Sequence, residues 1–318
     1  MATVTATVRV RATINEDLNK TAENAVLFFK EGSCGYMIKE ITSGRLSFSA
    51  DENGAELHSL KIDGEEFLWQ CGRAWKRYAP ILFPFICSPA SGKYRAGGKE
   101  YAMPGNHGFA RDCVFKLTGE TADSLTYELR SDEKTRQWYP YDFRLTVRYE
   151  AVGEKLRVIN IVENTGGSVL YFYLGGHPAF IADIEGGKDI VEYEQPETVI
   201  QNKDGERVIL DNESVLRLNR PLFDHDVIMK DAPESSCVTL KRADGRYVKL
   251  SFPDSQCIAI WTAEKNPEAQ FICLEPWTSV PVYADDDHPD IENKPHAIPL
   301  DPGEEYAYEY FIEAGISE

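Results

Sequence analysis

Phe143-Arg144-Leu145-Thr146-Val147-Arg148-Tyr149 alternates apolar and polar residues without a break. After Gly153 the chain resumes as Lys155-Leu156-Arg157-Val158-Ile159-Asn160-Ile161-Val162. A period of two turns one face of a strand to a core and the other to water, and the glycine between the two runs predicts a hairpin. Shorter runs of the same texture occur at 46–49, 56–62, 67–70, 113–118, 124–129, 169–174, 247–252, 257–262, 271–275 and 306–312. Turn pairs such as Asp63-Gly64 and Asp244-Gly245 punctuate them. Helical periods are scarce after residue 37. Many short strands without intervening helices predict an all-β fold, an antiparallel β-sandwich or barrel rather than a parallel α/β sheet. No Pro/Gly-rich linker interrupts 37–318, so that stretch reads as one domain.

The first 36 residues differ in texture. Val4 to Arg11 alternates as a short strand does. Asn15 is placed to cap a helix over 16–30 with Leu18, Ala22, Ala25, Val26 and Phe29 on one stripe. This strand-helix extension is similar to the start of a ribbon-helix-helix unit without its second helix, and it is expected to be disordered or loosely docked.

The 318 residues carry a formal charge of −18. Such a chain repels phosphate backbones and anionic membranes, so neither nucleic acid nor membrane is an expected partner. No apolar run approaches the roughly 18 residues of a membrane helix, and no apolar leader core is seen in residues 1–11. Seven cysteines without a C-x-x-C pair argue against a disulfide framework or a zinc site, and fit a reducing cytoplasm. The run Asp285-Asp286-Asp287-His288 reads as a solvated loop rather than a cation site.

Only 6 histidines are present, and two lie in glycine-rich turns: His107 in Asn106-His107-Gly108-Phe109-Ala110-Arg111, and His177 in Gly175-Gly176-His177-Pro178. Glu275 ends the apolar run Phe271-Ile272-Cys273-Leu274. Imidazoles and a carboxylate move protons near neutral pH, so this set points to proton transfer on a small molecule. No phosphate-binding glycine fingerprint or H-E-x-x-H motif is present, and no cofactor or metal is expected.

Six markers in order, Gly54-Ala55-Glu56-Leu57, Phe67-Leu68-Trp69-Gln70, Ala79-Pro80-Ile81-Leu82-Phe83-Pro84, His107 to Asp112, Gly176 to Phe180 and Glu275-Pro276-Trp277, run through most of the chain. On these it resembles the aldose 1-epimerase (galactose mutarotase-like) family, in its LacX-like branch. The resemblance implies a large antiparallel β-sandwich with an open sugar cleft and cofactor-free interconversion of the anomers of a free aldohexose. It further implies Glu275 as the base for the anomeric hydroxyl, His177 as the acid for the ring oxygen, and His107 as a hydrogen-bonding group near that oxygen. Asp226, favoured over Asp224, is the acidic residue expected near the sugar hydroxyls. Arg111 either reaches the sugar or pairs with Asp112. Trp277 either supports the base, offers a ring face, or is a core aromatic. One departure from the family pattern is Ser88, which stands where relatives carry a sugar-contacting arginine; Arg111, Arg77 or Lys76 are candidates to replace it. A non-catalytic sugar-binding domain and a hexose-6-phosphate 1-epimerase are the alternative readings. The sequence leaves the oligomeric state open.

Overall fold

A computed structural model describes residues 37–201 and 205–317. The expected strand near residues 4–11 and helix over 16–30 lie outside the described residues. The hairpin forms as read. Phe143–Val152 pairs antiparallel with Lys155–Asn164 in unbroken register, and Gly153 turns the chain at φ +62°. Phe143, Leu145, Val147 and Tyr149 face inward and are buried. Outward, Arg157 bridges Glu150 at 3.3 Å and Glu309 on the next strand at 2.5 Å.

This hairpin lies within a nine-stranded antiparallel sheet. Its strands, in spatial order, are Arg207–Arg217, Ile190–Gln201, Cys237–Lys241, Arg246–Ser251, Glu305–Ile316, Lys155–Asn164, Phe143–Val152, Ser124–Arg130 and Lys116–Glu120. The strands Ile190–Gln201 and Arg207–Arg217 carry no clean alternation in the sequence. Pro196 and the surrounding glutamates mask them, and their pairing shifts register three times between Glu192 and Ile200. Such irregularities are tolerated near a sheet edge.

A second, six-stranded sheet holds Glu275 and the two short strands that flank His177. Phe271–Trp277 lies near its middle, between Cys257–Trp261 on one side and the short strands Gly175–Gly176 and Ala179–Ile181 on the other. The two sheets meet through aromatic side chains. Phe83 packs on Phe143 at 5.1 Å and on Phe172 at 6.0 Å. Gly176 approaches Tyr310 of the large sheet so closely that a Cβ would fall 2.7 Å from the hydroxyl oxygen. A four-stranded sheet, Ile38–Ser43 to Glu65–Glu66, covers one end. It is tied in by the hydroxyls of Tyr127 and Tyr149, which donate to the carbonyls of Ala50 and Ala55 at 3.0 and 2.7 Å. The core is thus a layered β-sandwich in which the buried Tyr127 and Tyr149 keep their polar tips bonded. No helix among the described residues is long and apolar enough to cross a membrane.

Three local expectations are corrected. Residues 67–70 make only an isolated bridge, Leu68 with Phe180, because the Trp69 indole turns away to donate to the Trp75 carbonyl at 2.9 Å. The 271–275 strand continues through Pro276 to Trp277, so Glu275 lies inside a strand and not at its end. Asp285 is not solvated: it is 2% exposed and accepts from the Tyr173 hydroxyl at 2.5 Å. His296 lies against Asp285 as well, its Nδ1 2.7 Å from Oδ1. The ammonium of Lys294 donates to the Asp285 carbonyl at 2.7 Å, and Asp286 accepts the Ala90 N–H at 2.7 Å. The acidic run is a clasp over the segment that follows Ser88.

Candidate active site

Two glycines let the His177 segment lie flat against its neighbours. A Cβ on Gly175 would meet Trp277 Cδ1 at 2.7 Å, and one on Gly176 would meet Tyr310. Close approach, not a left-handed backbone, is what demands glycine at both positions. Past Gly176 the chain steps over Pro178, whose carbonyl accepts the Leu274 N–H at 3.1 Å. His177 thereby leans over the Phe271–Trp277 strand, and its Nε2 lies 3.2 Å from Glu275 Oε2.

His107 is set by a reciprocal pair of bonds. Its N–H donates to the Cys87 carbonyl at 2.9 Å, and the Cys87 N–H donates to His107 Nδ1 at 3.0 Å. A backbone N–H can only donate, so Nδ1 is the acceptor and the ring proton of neutral His107 resides on Nε2. The turn needs φ +61° at His107 and +76° at Gly108. The His107 and His177 rings meet edge to face with centroids 5.3 Å apart.

The three groups are deeply covered: Glu275, His177 and His107 are 1, 5 and 6% exposed. This differs from the open cleft that the resemblance implies. The cause is aromatic. Trp75 stacks on His177 with centroids 5.0 Å apart, and Trp261 abuts the same ring at 5.7 Å. Neither tryptophan was singled out in the sequence; Trp75 stands in the polar loop Arg73-Ala74-Trp75-Lys76-Arg77, and an aromatic residue there was the available signal.

Burial controls the protonation states. It holds the Glu275 carboxyl well above the ordinary carboxylate range; the Trp277 N–H opposes, Asp226 adds to the rise and Arg111 opposes. Burial pushes His177 down to about 3, with Arg111 and Arg77 acting in the same direction. His107 is likewise held well below the usual imidazole value by burial, then by His177, Arg111 and Arg77. His177 Nδ1 and Arg111 Nε are buried polar atoms without a protein hydrogen-bond partner. A polyhydroxylated ligand offers both donors and acceptors for such a set.

The remaining candidates fall as follows. Arg111 Nε lies 3.9 Å from Asp112, which is bonded instead by Arg77 at 2.5 Å. Arg77 also donates to the Arg111 carbonyl at 3.0 Å, so Arg77 ties the loop while the Arg111 head turns toward the histidines and Glu275. Lys76 is exposed. Asp226, at φ +74°, accepts the Trp261 indole N–H at 2.9 Å and bears electrostatically on Glu275. Trp277 is 1% exposed, so its ring is core and only its N–H is turned to Glu275. The Ser88 hydroxyl engages the His107 loop, with Asn106 Oδ1 at 3.2 Å and the Gly105 carbonyl at 3.4 Å. His177, Cys273 and Glu275 present ligand atoms within 4.8 Å of one another, a spacing that one metal ion could span. The Cys273 thiol is pushed well up by burial, away from the thiolate that a metal binds.

Comparison with known proteins bears on the fold and the family. A family model described as aldose 1-epimerase matches residues 38–313. The chromosomal protein LacX of Lactococcus lactis subsp. lactis is 30% identical over 293 residues, 83% of this chain and 96% of LacX. The solved structure of a galactose mutarotase related enzyme from Lactobacillus acidophilus superposes with a TM-score of 0.81 at 26% identity, over 89% of this chain and 99% of that one. A galactose mutarotase-like protein from Lactobacillus casei gives 0.78 at 26% identity, over 88% and 100%. With the antiparallel sandwich and the family markers in place, this chain belongs to the aldose 1-epimerase family, in its LacX-like branch.

Proposed function

We propose that the protein is a cofactor-free aldose 1-epimerase acting on a free, unphosphorylated aldose. The observation that carries this reading is the 3.2 Å approach of His177 Nε2 to Glu275 Oε2, with the His107 ring edge-on beside them. In the ring-opening step Glu275 carboxylate takes the proton of the anomeric hydroxyl. Protonated His177 gives its proton to the ring oxygen, and the bond from that oxygen to the anomeric carbon breaks. The anomeric carbon becomes an aldehyde, Glu275 is left as the acid and His177 as neutral imidazole. Rotation next to the aldehyde presents its other face. Glu275 then returns its proton to the carbonyl oxygen, and His177 accepts that of the attacking hydroxyl. His107, with its proton on Nε2, donates to the ring-oxygen region.

The pair carries one proton in total throughout. Burial raises Glu275 and lowers His177, so the free pair rests as carboxylic acid and neutral imidazole, and the electrostatics bias the cycle toward the opened sugar, while the charged arrangement that opens the ring is the costly one. Arg111 supplies a fixed charge near both groups and is the residue proposed to stand in for the family arginine replaced by Ser88. Asp226 and Arg111 are the proposed contacts to the remaining hydroxyls.

The test is polarimetry on freshly dissolved α-glucose and α-galactose. Anomer exchange well above the buffer rate is expected. Glu275→Gln and His177→Asn are each expected to lower it by about 10²- to 10⁴-fold, the usual contribution of a positioned acid or base. A wild-type rate equal to buffer for every aldose, or a Glu275→Gln variant with full activity, would overturn the proposal.

A further inference from the structure

A cavity of about 440 Å³ is lined by none of the residues of the site described above. Four segments wall it: the hairpin of Lys93–Ala96 and Lys99–Ala102, the loop at Pro140, the run from Ser168 to Tyr171, and the turn Ile291–Asn293. These segments are fastened to their surroundings and to one another. Arg95 pairs with Asp290 at 2.6 Å, and its N–H donates to the Pro289 carbonyl at 2.8 Å. The Tyr94 hydroxyl donates to the Trp138 carbonyl and the Tyr139 hydroxyl to the Tyr171 carbonyl, each at 2.8 Å. The cavity is thus pre-formed, which lowers the ordering cost of binding.

Its chemistry is aromatic with two unlike charges. Tyr101, Tyr141 and Tyr171 line it, and the Tyr141 and Tyr171 rings meet edge to face with centroids 6.4 Å apart. Glu292 is half-buried, and its Oε1 accepts the Gly97 N–H at 2.6 Å and the Tyr141 hydroxyl at 3.5 Å. Among the described residues nothing donates to Glu292 Oε2, and Lys99, which lines the same cavity, pairs with no carboxylate. A purely anionic ligand meets Glu292 there, and a purely cationic one meets Lys99. A molecule carrying both an ammonium and a carboxylate satisfies the two together, and its ammonium gains further from the phenol faces.

We infer that this cavity is a binding site for a free α-amino acid with a large apolar or aromatic side chain. The ammonium goes to Glu292, the carboxylate to Lys99 and the side chain among the three tyrosines. The assignment does not rest on the epimerase reading. It is tested by isothermal titration of the full chain with phenylalanine, tryptophan, leucine and methionine. Phenethylamine and 3-phenylpropionate serve as probes of one charge each. At least one amino acid is expected to bind, with both single-charge probes weaker by about tenfold or more. Glu292→Gln keeps an acceptor for Gly97, and Lys99→Met keeps the stem; each should weaken amino-acid binding by about tenfold or more. No binding of any of the four at about 10 mM, equal affinity for a single-charge probe, or full affinity in both variants overturns the inference. Glucose or galactose binding that Tyr171→Ala abolishes and Glu275→Gln spares also overturns it, and makes the cavity a sugar site instead. Binding is read directly, so the outcome stands whether or not the protein exchanges anomers.

Discussion

His177 and Glu275 illustrate how burial tunes one side chain against another. An exposed histidine changes charge near 6.5, whereas His177 is pushed down to about 3 by burial and by Arg111. The proposed cycle needs one proton on the pair, and a second proton stops it by occupying His177 while Glu275 is already protonated. The acid limb of the rate profile is therefore expected near pH 3 instead of 6.5. A fall centred close to 6.5 in polarimetric rates would contradict the assignment. The two histidines stood out in the sequence because imidazoles in glycine-rich turns are few in this chain, and Glu275 because it is the carboxylate at the end of an apolar run. Their companions stood out less. Trp75 and Trp261 enclose His177; the polar loop around Trp75 sets it apart from a core aromatic, whereas Trp261 ends an apolar strand and has no such mark. Arg111 adjoins Asp112 in the chain and Arg77 lies 35 residues away, yet the packing gives Asp112 to Arg77.

At the scale of elements, the turns are as demanding as the strands. The carbonyl of Phe83 accepts the N–H groups of Phe109 and Ala110 at 3.1 and 3.2 Å, which draws the two loops together at Gly108. A Cβ there would lie 2.1 Å from that carbonyl oxygen, on a backbone at φ +76°. Gly108→Ala is expected to cost about 2–4 kcal/mol, combining backbone strain with a displaced loop, and to misplace His107. Gly105→Ala, with its nearest neighbour at 3.9 Å, should stay within about 0.5 kcal/mol. Urea unfolding of the two variants checks the contrast, and equal stabilities would refute it. Alternation located the strands whose two faces see different surroundings, Phe143–Val152 above all. It gave no signal for Ile190–Gln201, where bulges break the period, and it stopped Phe271–Trp277 one residue before a proline that the sheet accommodates.

Across the whole molecule, stability and the site are coupled through buried polar groups. Asp285 holds Tyr173, His296 and the Lys294 segment together, and its neighbour Asp286 accepts the Ala90 N–H of the loop after Ser88. Asp285→Ala strands the Tyr173 hydroxyl and should cost about 2–4 kcal/mol in urea unfolding; a loss below about 0.5 would show that the clasp is incidental. Glu275 has the opposite sign. Its folded carboxyl is raised above its unfolded value, so its contribution is present at low pH and is lost as pH rises through the folded value. Glu275→Gln has no such loss, and its thermal midpoint should exceed that of the wild type by a few degrees, roughly 2–4 °C per kcal/mol, at pH 8 and by less at pH 5. A midpoint below wild type at pH 8 would reject this. The amino-acid order by itself determined the all-β class and the hairpin within the large sheet, and singled out His107, His177 and Glu275 as candidates, because period, turn residues and chemical type are local properties. Only the tertiary structure decided that His177 meets Glu275, that aromatic rings close over them, that Asp285 is buried and that a cavity opens beside Glu292. Those depend on which distant strands lie against each other, and burial, the quantity that sets the proton affinities, exists only once they do.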